Sequence, residues 1–144
     1  MKNRVAVLHG VNLDALDRRP AEHYGGLTFS ALERRIDGFA HELGLDVRFF
    51  HSNHEGEYVE ELHKAGDYAD ALLLNPGAWT HYAWSLRDAV ELTGLPAVEV
   101  HLSDVKHREP FRALSVLEDV CIASVSGQGV DGYRTGLEKL KAAL

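Results

Sequence analysis

A carboxylate and an imidazole, Glu99 and His101, stand one residue apart near the end of an apolar run. Side chains in a strand alternate between two faces, so both groups lie on the same face. A carboxylate beside an imidazole favours the charged form of the ring, and a charged imidazole can act as a general acid. A structural hydrogen bond at a strand end explains the pair equally well, so the spacing alone leaves both interpretations open.

Polar side chains also follow the other predicted strands. These groups are rich in His and Asn and comprise His9 with Asn12, residues 52–55, residues 75–81, Glu99 with His101 and Ser103, and residues 126–129. In an open α/β sheet, ligands bind outside the carboxyl ends of the strands, near the point where the strand order reverses. We therefore expect these loops to build a ligand site together.

The apolar periodicity predicts alternating strands and helices. Strands are predicted at residues 4–8, 45–51, 69–74, 96–101 and 120–124, and helices at residues 28–43, 55–65, 80–92 and 132–143. Ser30 and Glu33 have the spacing of a capping box, and Gly44 is placed to end the first helix. Residues 12–26 and 108–117 lack periodicity and are predicted to be irregular. The alternation predicts an α/β fold with a five-stranded parallel sheet and helices on both faces.

The composition predicts a single domain over residues 1–144. The 15 basic and 22 acidic residues give a net charge of −7, which disfavours nucleic acid and anionic membranes as partners. The histidines lack zinc-site spacing, and neither a dinucleotide-binding glycine fingerprint nor a P-loop occurs, so we expect no metal and no cofactor. The first apolar run is too short for a signal sequence, and we expect a cytoplasmic protein. Cys121, the only cysteine, lies in an apolar run and is predicted to be a core residue.

Several stretches together resemble the type II 3-dehydroquinate dehydratases, also called type II dehydroquinases. They are HGVNL at 9–13, the RR and YGG around Arg19 and Tyr24, SNHEGE at 52–57, LNPGAWTH at 74–81, LRDA at 86–89, VEVHLSDVKHREPFR at 98–112 and SGQGVDGY at 126–133. These stretches run from the first strand to the last helix with the spacing of the family. The resemblance implies a flavodoxin-like, doubly wound sheet and a homo-oligomer, a dodecamer built from trimers.

The resemblance also implies a reaction, the dehydration of 3-dehydroquinate to 3-dehydroshikimate through an enolate, without a metal or organic cofactor. Tyr24 matches the family's base, a tyrosinate, and Arg19 and Arg108 match the positions that keep it anionic. A free phenol has a pKa of about 10 and is mostly protonated at neutral pH, so the base needs such cations.

Two further positions complete the catalytic set that the resemblance implies. His101 matches the general acid that protonates the leaving hydroxyl, and Glu99 orients and charges its ring. Asn12 matches the residue that holds a water against the developing enolate oxygen, where negative charge appears.

The remaining matches are to substrate-binding positions. The carboxylate of the substrate is expected at the backbone amides of Leu102 and Ser103 and at the Asn75 side chain. His81 and Arg112 match positions that bind the ring hydroxyls.

Asp88 matches a residue that reaches the site of a neighbouring subunit. On the single helix predicted over residues 80–92, Asp88 lies seven residues after His81, on nearly the same face and about 10 Å further along the axis. That distance is too long for Asp88 to reach its own subunit's site.

The departures from the family pattern concentrate in the first loop, at His9, Val11, Asp17, Pro20 and Ala21. They leave open an alternative, a family member that has lost catalysis and persists as an oligomeric scaffold. A second alternative is a flavodoxin-like module that binds a flavin or a phosphate ligand. The sequence fits aromatic biosynthesis and quinate breakdown equally, because both use the same dehydration.

Overall fold

Five parallel strands form the centre of the structure, a computed structural model that describes residues 1–144. They are β1 (Arg4–His9), β2 (Asp46–His51), β3 (Ala71–Asn75), β4 (Ala97–Val100) and β5 (Ala123–Val125). Their order in the sheet is β2-β1-β3-β4-β5, and every neighbouring pair is parallel. This is the order of flavodoxin-like doubly wound sheets, so the predicted fold class is confirmed.

The strand order reverses between β1 and β3. The chain moves outward from β1 to β2, then passes back over β1 to β3 and continues to β4 and β5. The connections that follow β1 and β3 therefore leave the sheet in opposite directions and open a crevice at the carboxyl ends of these strands.

Helices cover both faces of the sheet. The long helices are α2 (Phe29–Leu43) and α5 (Asp131–Ala143) on one face, and α3 (Glu55–Ala65) and α4 (Trp84–Thr93) on the other. Val5 and Val7 of β1 pack with α2 and α5, whereas Ala6 and Leu8 pack with α3 and α4. All residues of β3 are buried, as expected for an apolar strand covered on both faces. No helix has the length and apolar character needed to span a membrane.

The start of α2 differs from the predicted capping box. Thr28 is the N-cap, and its Oγ1 accepts a hydrogen bond from the backbone N–H of Ala31 at 3.1 Å. Ser30 lies inside the helix, so the prediction of a box between Ser30 and Glu33 is wrong. The end of the helix is as predicted, because Gly44 takes the left-handed conformation with φ 73°.

The first loop, residues 12–26, is less irregular than predicted. It contains a 3-10 helix, Leu13–Arg18, and a four-residue helix, α1 (Ala21–Tyr24). Leu13 and Leu16 are buried against the core, which fixes the 3-10 helix although the segment has no long period.

The prediction of one helix over residues 80–92 is wrong at its start. A 3-10 helix, Gly77–His81, ends at His81, and α4 begins only at Trp84. Tyr82 and Ala83 have non-helical backbone angles and separate the two helices. His81 and Asp88 therefore do not lie on one helix, and the argument from their spacing on a common axis fails.

The last strand begins later than predicted. Residues Glu118–Val120 form a 3-10 turn, and β5 starts where Ala123 pairs with Val98 of β4. The apolar run before it belongs to the connection, so Cys121 is half-buried rather than a core residue. Burial raises the pKa of its thiol to about 12, which keeps it in the unreactive form.

Residues 108–117, predicted to be irregular, include a short 3-10 turn, Pro110–Ala113.

Gly10 provides a test of the close approach between the loops after β1 and β3. A Cβ atom at Gly10 would lie 2.4 Å from the backbone oxygen of Pro76, and backbone atoms cannot move away as a side chain can. We expect Gly10→Ala to lower the free energy of unfolding by about 2–3 kcal/mol. Urea denaturation measures this change.

The matched control is Gly38→Ala on the exposed face of α2, where a Cβ meets no atom within 4 Å. This variant should gain about 0.5–1 kcal/mol, because alanine favours a helix interior over glycine. Equal stability of the two variants would contradict the close approach at Gly10.

Candidate active site

A cavity of 390 Å³ opens at the carboxyl ends of β1, β3 and β4. It brings together most of the predicted site residues, namely Asn12, Arg19, Tyr24, Asn75, His81, His101, Leu102, Ser103 and Arg112. The first loop forms one side of this cavity, and the residues that follow β3 and β4 form the other. The crevice at the strand-order reversal is therefore the candidate active site.

Glu99 and His101, the pair predicted at the end of β4, contact each other in the structure. The Nε2 atom of His101 lies 2.6 Å from Oε2 of Glu99. Glu99 has no solvent exposure, whereas the ring of His101 reaches the cavity. The carboxylate thus lies behind the imidazole and fixes its orientation.

Glu99 is ionised despite its burial. Burial alone raises the pKa of this carboxyl, but His101, Thr80 and Ser115 hydrogen-bond to it and together hold the pKa below its ordinary value. The Ser115 hydroxyl donates to Oε1 at 2.7 Å, and the Thr80 hydroxyl donates to Oε2. These three donors supply the hydrogen bonds that a buried carboxylate requires.

The hydroxyl of Tyr24 receives two hydrogen bonds from arginines. Arg19 donates from its guanidinium at 2.6 Å and Arg108 at 2.8 Å. The Arg19 guanidinium also lies over the Tyr24 ring, 4.3 Å from its centroid. The phenol oxygen thus accepts from two charged donors, and hydrogen bonds from charged donors are stronger than those between neutral groups.

Asn12 is held at the cavity by an unusual backbone conformation. It is the only non-glycine residue with positive φ, at 69°. Its N–H donates to Oδ1 of Asn53 at 2.8 Å, and Nδ2 of Asn53 donates to the carboxylate of Asp14 at 3.2 Å. These bonds support a left-handed conformation that asparagine tolerates better than most residues.

His81 and Arg112 lie on the far side of the cavity from the first loop. Nδ1 of His81 donates to the carbonyl oxygen of Leu114 at 2.7 Å. Burial lowers the pKa of His81 from its ordinary 6.5, and the Leu114 carbonyl opposes this only in part. The ring is thus neutral at pH 7, and its Nε2 is an acceptor for a ligand hydroxyl. Arg112 is ion-paired with Glu109.

Between these groups lies a set of hydrogen-bond donors. The backbone N–H groups of Leu102 and Ser103 donate to no acceptor in the protein. The side chain of Asn75 is oriented from behind, since its Nδ2 donates to the buried Tyr133 hydroxyl at 2.8 Å and its Oδ1 accepts from Gly77 N–H. Free amides aimed at a cavity suit an anionic oxygen.

His9, which the sequence groups with the strand-end residues, is a packing residue. Its ring is fully buried, stacked on Phe49 and edge-on to Phe29. Its Nε2 lies 3.2 Å from a carboxylate oxygen of Glu33, and burial lowers its pKa despite this neighbour. It does not line the cavity.

Asp88 is the one predicted site residue that the fold keeps apart from the cavity. It lies on an exposed face of α4.

The structure also adds residues to the site, namely Arg18 in the cavity wall and Thr80, Ser115 and Asn53 as hydrogen-bonding supports of residues in the site. Asn53 and Thr80 belong to the predicted strand-end groups, but their supporting contacts could not be predicted because their partners are far apart along the chain. The structure contains no group of three or more His, Cys, Asp or Glu side chains arranged to hold a metal ion.

Comparison with known proteins assigns the chain to a family. The model of the family "Dehydroquinase class II" matches residues 3–141. A curated 3-dehydroquinate dehydratase of Leptothrix cholodnii is 43% identical over 134 residues, which cover 92% of this chain and 90% of the relative. A second, from Pelotomaculum thermopropionicum, is 43% identical and covers 96% of both chains.

A solved structure agrees with these relatives. The crystal structure of a type II dehydroquinase from Butyrivibrio crossotus is similar with a TM-score of 0.93 at 34% identity, covering 96% of this chain and 97% of that one. The chain therefore belongs to the class II dehydroquinase family.

Proposed function

We propose that this protein is a 3-dehydroquinate dehydratase, a hydro-lyase that removes water from 3-dehydroquinate to give 3-dehydroshikimate. The observation that carries the proposal is the pairing of two opposite groups across one cavity. A phenol held between two guanidinium groups faces an imidazole backed by a buried carboxylate. The first arrangement makes a base and the second an acid, which is the combination that an elimination of water requires.

In the proposed first step, Tyr24 as phenolate removes a proton from carbon 2 of the substrate, next to the ketone. Arg19 and Arg108 stabilise the phenolate before the transfer. The ketone oxygen gains negative charge as the enolate forms. Asn12 lies at the cavity wall and holds a water against this oxygen.

In the second step, the enolate collapses and the hydroxyl on carbon 1 leaves. His101 donates a proton from its ring to this hydroxyl, so water departs. Glu99 compensates the charge of the ring before the transfer and keeps it oriented. Tyr24 then releases its proton to solvent and His101 takes one up from solvent, which returns the site to its starting state.

The substrate is oriented by its polar groups. Its carboxylate binds at the free N–H groups of Leu102 and Ser103, and the Asn75 amide completes this contact. His81 accepts a hydrogen bond from a ring hydroxyl through its free Nε2, and Arg112 binds a further hydroxyl. A single binding mode then presents carbon 2 to Tyr24.

We further propose that the chain acts as a homo-oligomer, a dodecamer of trimers, in which Asp88 reaches the site of a neighbouring subunit. Asp88 and Trp84 are four residues apart on α4 and thus share one face, and Trp84 is 61% exposed. Tyr82, just before this helix, is 59% exposed. Exposed aromatic side chains beside Asp88 support a subunit contact there. Contacts repeated head-to-tail about a threefold axis close into trimers.

The activity is tested by following the ultraviolet absorbance of the conjugated enone that forms from 3-dehydroquinate. We expect turnover by the wild-type protein and a loss of at least about 100-fold in kcat for Tyr24→Phe, with binding of a substrate analogue retained. The matched control is Tyr68→Phe, which removes a hydroxyl bonded to Glu61 outside the cavity. Wild-type rates in Tyr24→Phe would exclude Tyr24 as the base.

The same experiment separates the alternatives. An oligomer without turnover would support a scaffold that has lost catalysis. A purified protein with flavin absorbance in the visible range would support a ligand-binding module instead. Either result would reject the proposed dehydratase.

The shared site is tested by mixing two inactive or weakened variants. Asp88→Ala should raise KM about tenfold, because it removes a contact that the neighbouring subunit supplies. When it is mixed with Tyr24→Phe under conditions that exchange subunits, some sites regain both residues and part of the activity returns. Each variant mixed with itself is the control. A fully active monomer in sedimentation analysis at assay concentration would contradict the shared site.

A further inference from the structure

The buried carboxylate of Glu99 is surrounded by hydroxyl groups that no catalytic role has absorbed. We propose that Thr80 and Ser115 are positioning residues that keep Glu99 unprotonated, as the acceptor that holds the His101 ring. This inference rests on the proposed function only for its kinetic consequence. The protonation state of Glu99 itself can be measured by NMR without any turnover.

Both carboxylate oxygens of Glu99 accept hydrogen bonds. Oε1 accepts from the Ser115 hydroxyl at 2.7 Å, and Oε2 accepts from the Thr80 hydroxyl and from His101. Thr80 and Glu99 are almost completely buried, so water does not compete for these bonds. We call Thr80 and Ser115 together the hydroxyl cradle.

The two hydroxyls of the cradle also contact each other, because Oγ1 of Thr80 and Oγ of Ser115 lie 2.9 Å apart, and each hydroxyl is within hydrogen-bond distance of Glu99. The backbone N–H of Leu117 donates to Oγ of Ser115 at 3.2 Å, which leaves the single hydroxyl hydrogen of Ser115 free to donate. The backbone N–H of Val116 donates to the carbonyl oxygen of Thr80 at 2.8 Å. This backbone bond fixes the two segments of the cradle relative to each other.

A proton on Glu99 would disrupt this arrangement. It would turn one carboxylate oxygen from an acceptor into a donor, although every neighbouring group already donates to it. One hydroxyl would then have to turn away from the carboxylate to the other hydroxyl of the cradle, since Oγ1 of Thr80 and Oγ of Ser115 lie 2.9 Å apart. Glu99 thus accepts most hydrogen bonds as a carboxylate, and hydrogen bonds to the charged form favour that form.

The other titratable groups near the pair do not supply this effect. Burial keeps Cys121 and Tyr58 neutral by raising the pKa of each, and burial keeps His81 neutral by lowering its pKa. Lys106 and Glu118 lie beside the same pocket but are ion-paired with each other at 3.5 Å. Arg112, also beside this pocket, is ion-paired with Glu109. The cradle is thus the main source of donors to Glu99 apart from His101 itself.

The experiment compares the wild-type protein with Thr80→Val, Ser115→Ala and Thr80→Ser. The Glu99 carboxyl is followed by 13C NMR with labelled glutamate, and the His101 ring by 15N NMR with labelled histidine. In Thr80→Val and Ser115→Ala we expect Glu99 to titrate at a higher pH, and we expect the signal of the His101 ring nitrogen that contacts Glu99 to shift with it. Thr80→Ser keeps the hydroxyl and should restore the wild-type signals.

The expected change in rate follows from the weaker support of His101, the proposed general acid. We expect kcat to fall about tenfold in each hydroxyl deletion, with KM changed less than about twofold. Ser85→Ala is the matched control, because it removes a hydroxyl donated at 2.7 Å to the exposed carboxylate of Glu55. It should change neither the NMR signals nor the rate.

The outcomes decide the inference independently of the proposed function. Unchanged titration of Glu99 in folded Thr80→Val and Ser115→Ala would overturn it, as would a rise of KM in proportion to the fall in kcat. If one deletion does not fold, the other carries the same comparison. Absence of turnover in the wild-type protein would reject the proposed dehydratase but leave the NMR test of the proton intact.

Discussion

The burial of one ionised carboxylate, Glu99, is the constraint to which the rest of the site is fitted. A charge removed from water costs several kcal/mol unless each of its lone pairs finds a partner. Three separate segments meet that requirement, because His101 follows β4, Thr80 lies in the turn after β3, and Ser115 lies in the connection to β5. The path of the chain after β3 and after β4 is therefore tied to the burial of this carboxylate.

The two sides of the cavity are built in different ways. On the side of Glu99 and His101, short hydrogen bonds join the groups, and the carboxylate has no solvent exposure. The other side is the first loop, where α1 has no buried residue and Tyr24 is half-buried. Segments with few buried apolar contacts open most easily. The loop around Tyr24 is therefore held less firmly than the Glu99–His101 pair.

Much of this could be predicted from the sequence, and the failures have a common cause. The Glu99–His101 pair follows from the two-residue period of a strand, and the sheet follows from the alternation of apolar segments. Local sequence signals gave wrong helix starts where contacts between distant segments decide the structure. Ser30 had capping-box spacing, yet Thr28 caps the helix, and the break between His81 and Trp84 has no glycine or proline to mark it. Thr80 belongs to a predicted strand-end group, but the contacts of Thr80 and Ser115 with Glu99 were not predicted, because hydroxyl groups carry no pattern along the chain.

The donors to Tyr24 come from two places, so the position of the first loop decides how many of them reach its hydroxyl. Arg19 is five residues from Tyr24 in the same loop. Arg108 belongs to the segment after β4 and contacts Ser103 at 3.3 Å. Both guanidinium groups therefore contact the phenol oxygen only when the loop lies against the segment after β4. In the mechanism that we propose, closure of the loop over a substrate and completion of these contacts to the base are consequently one structural event.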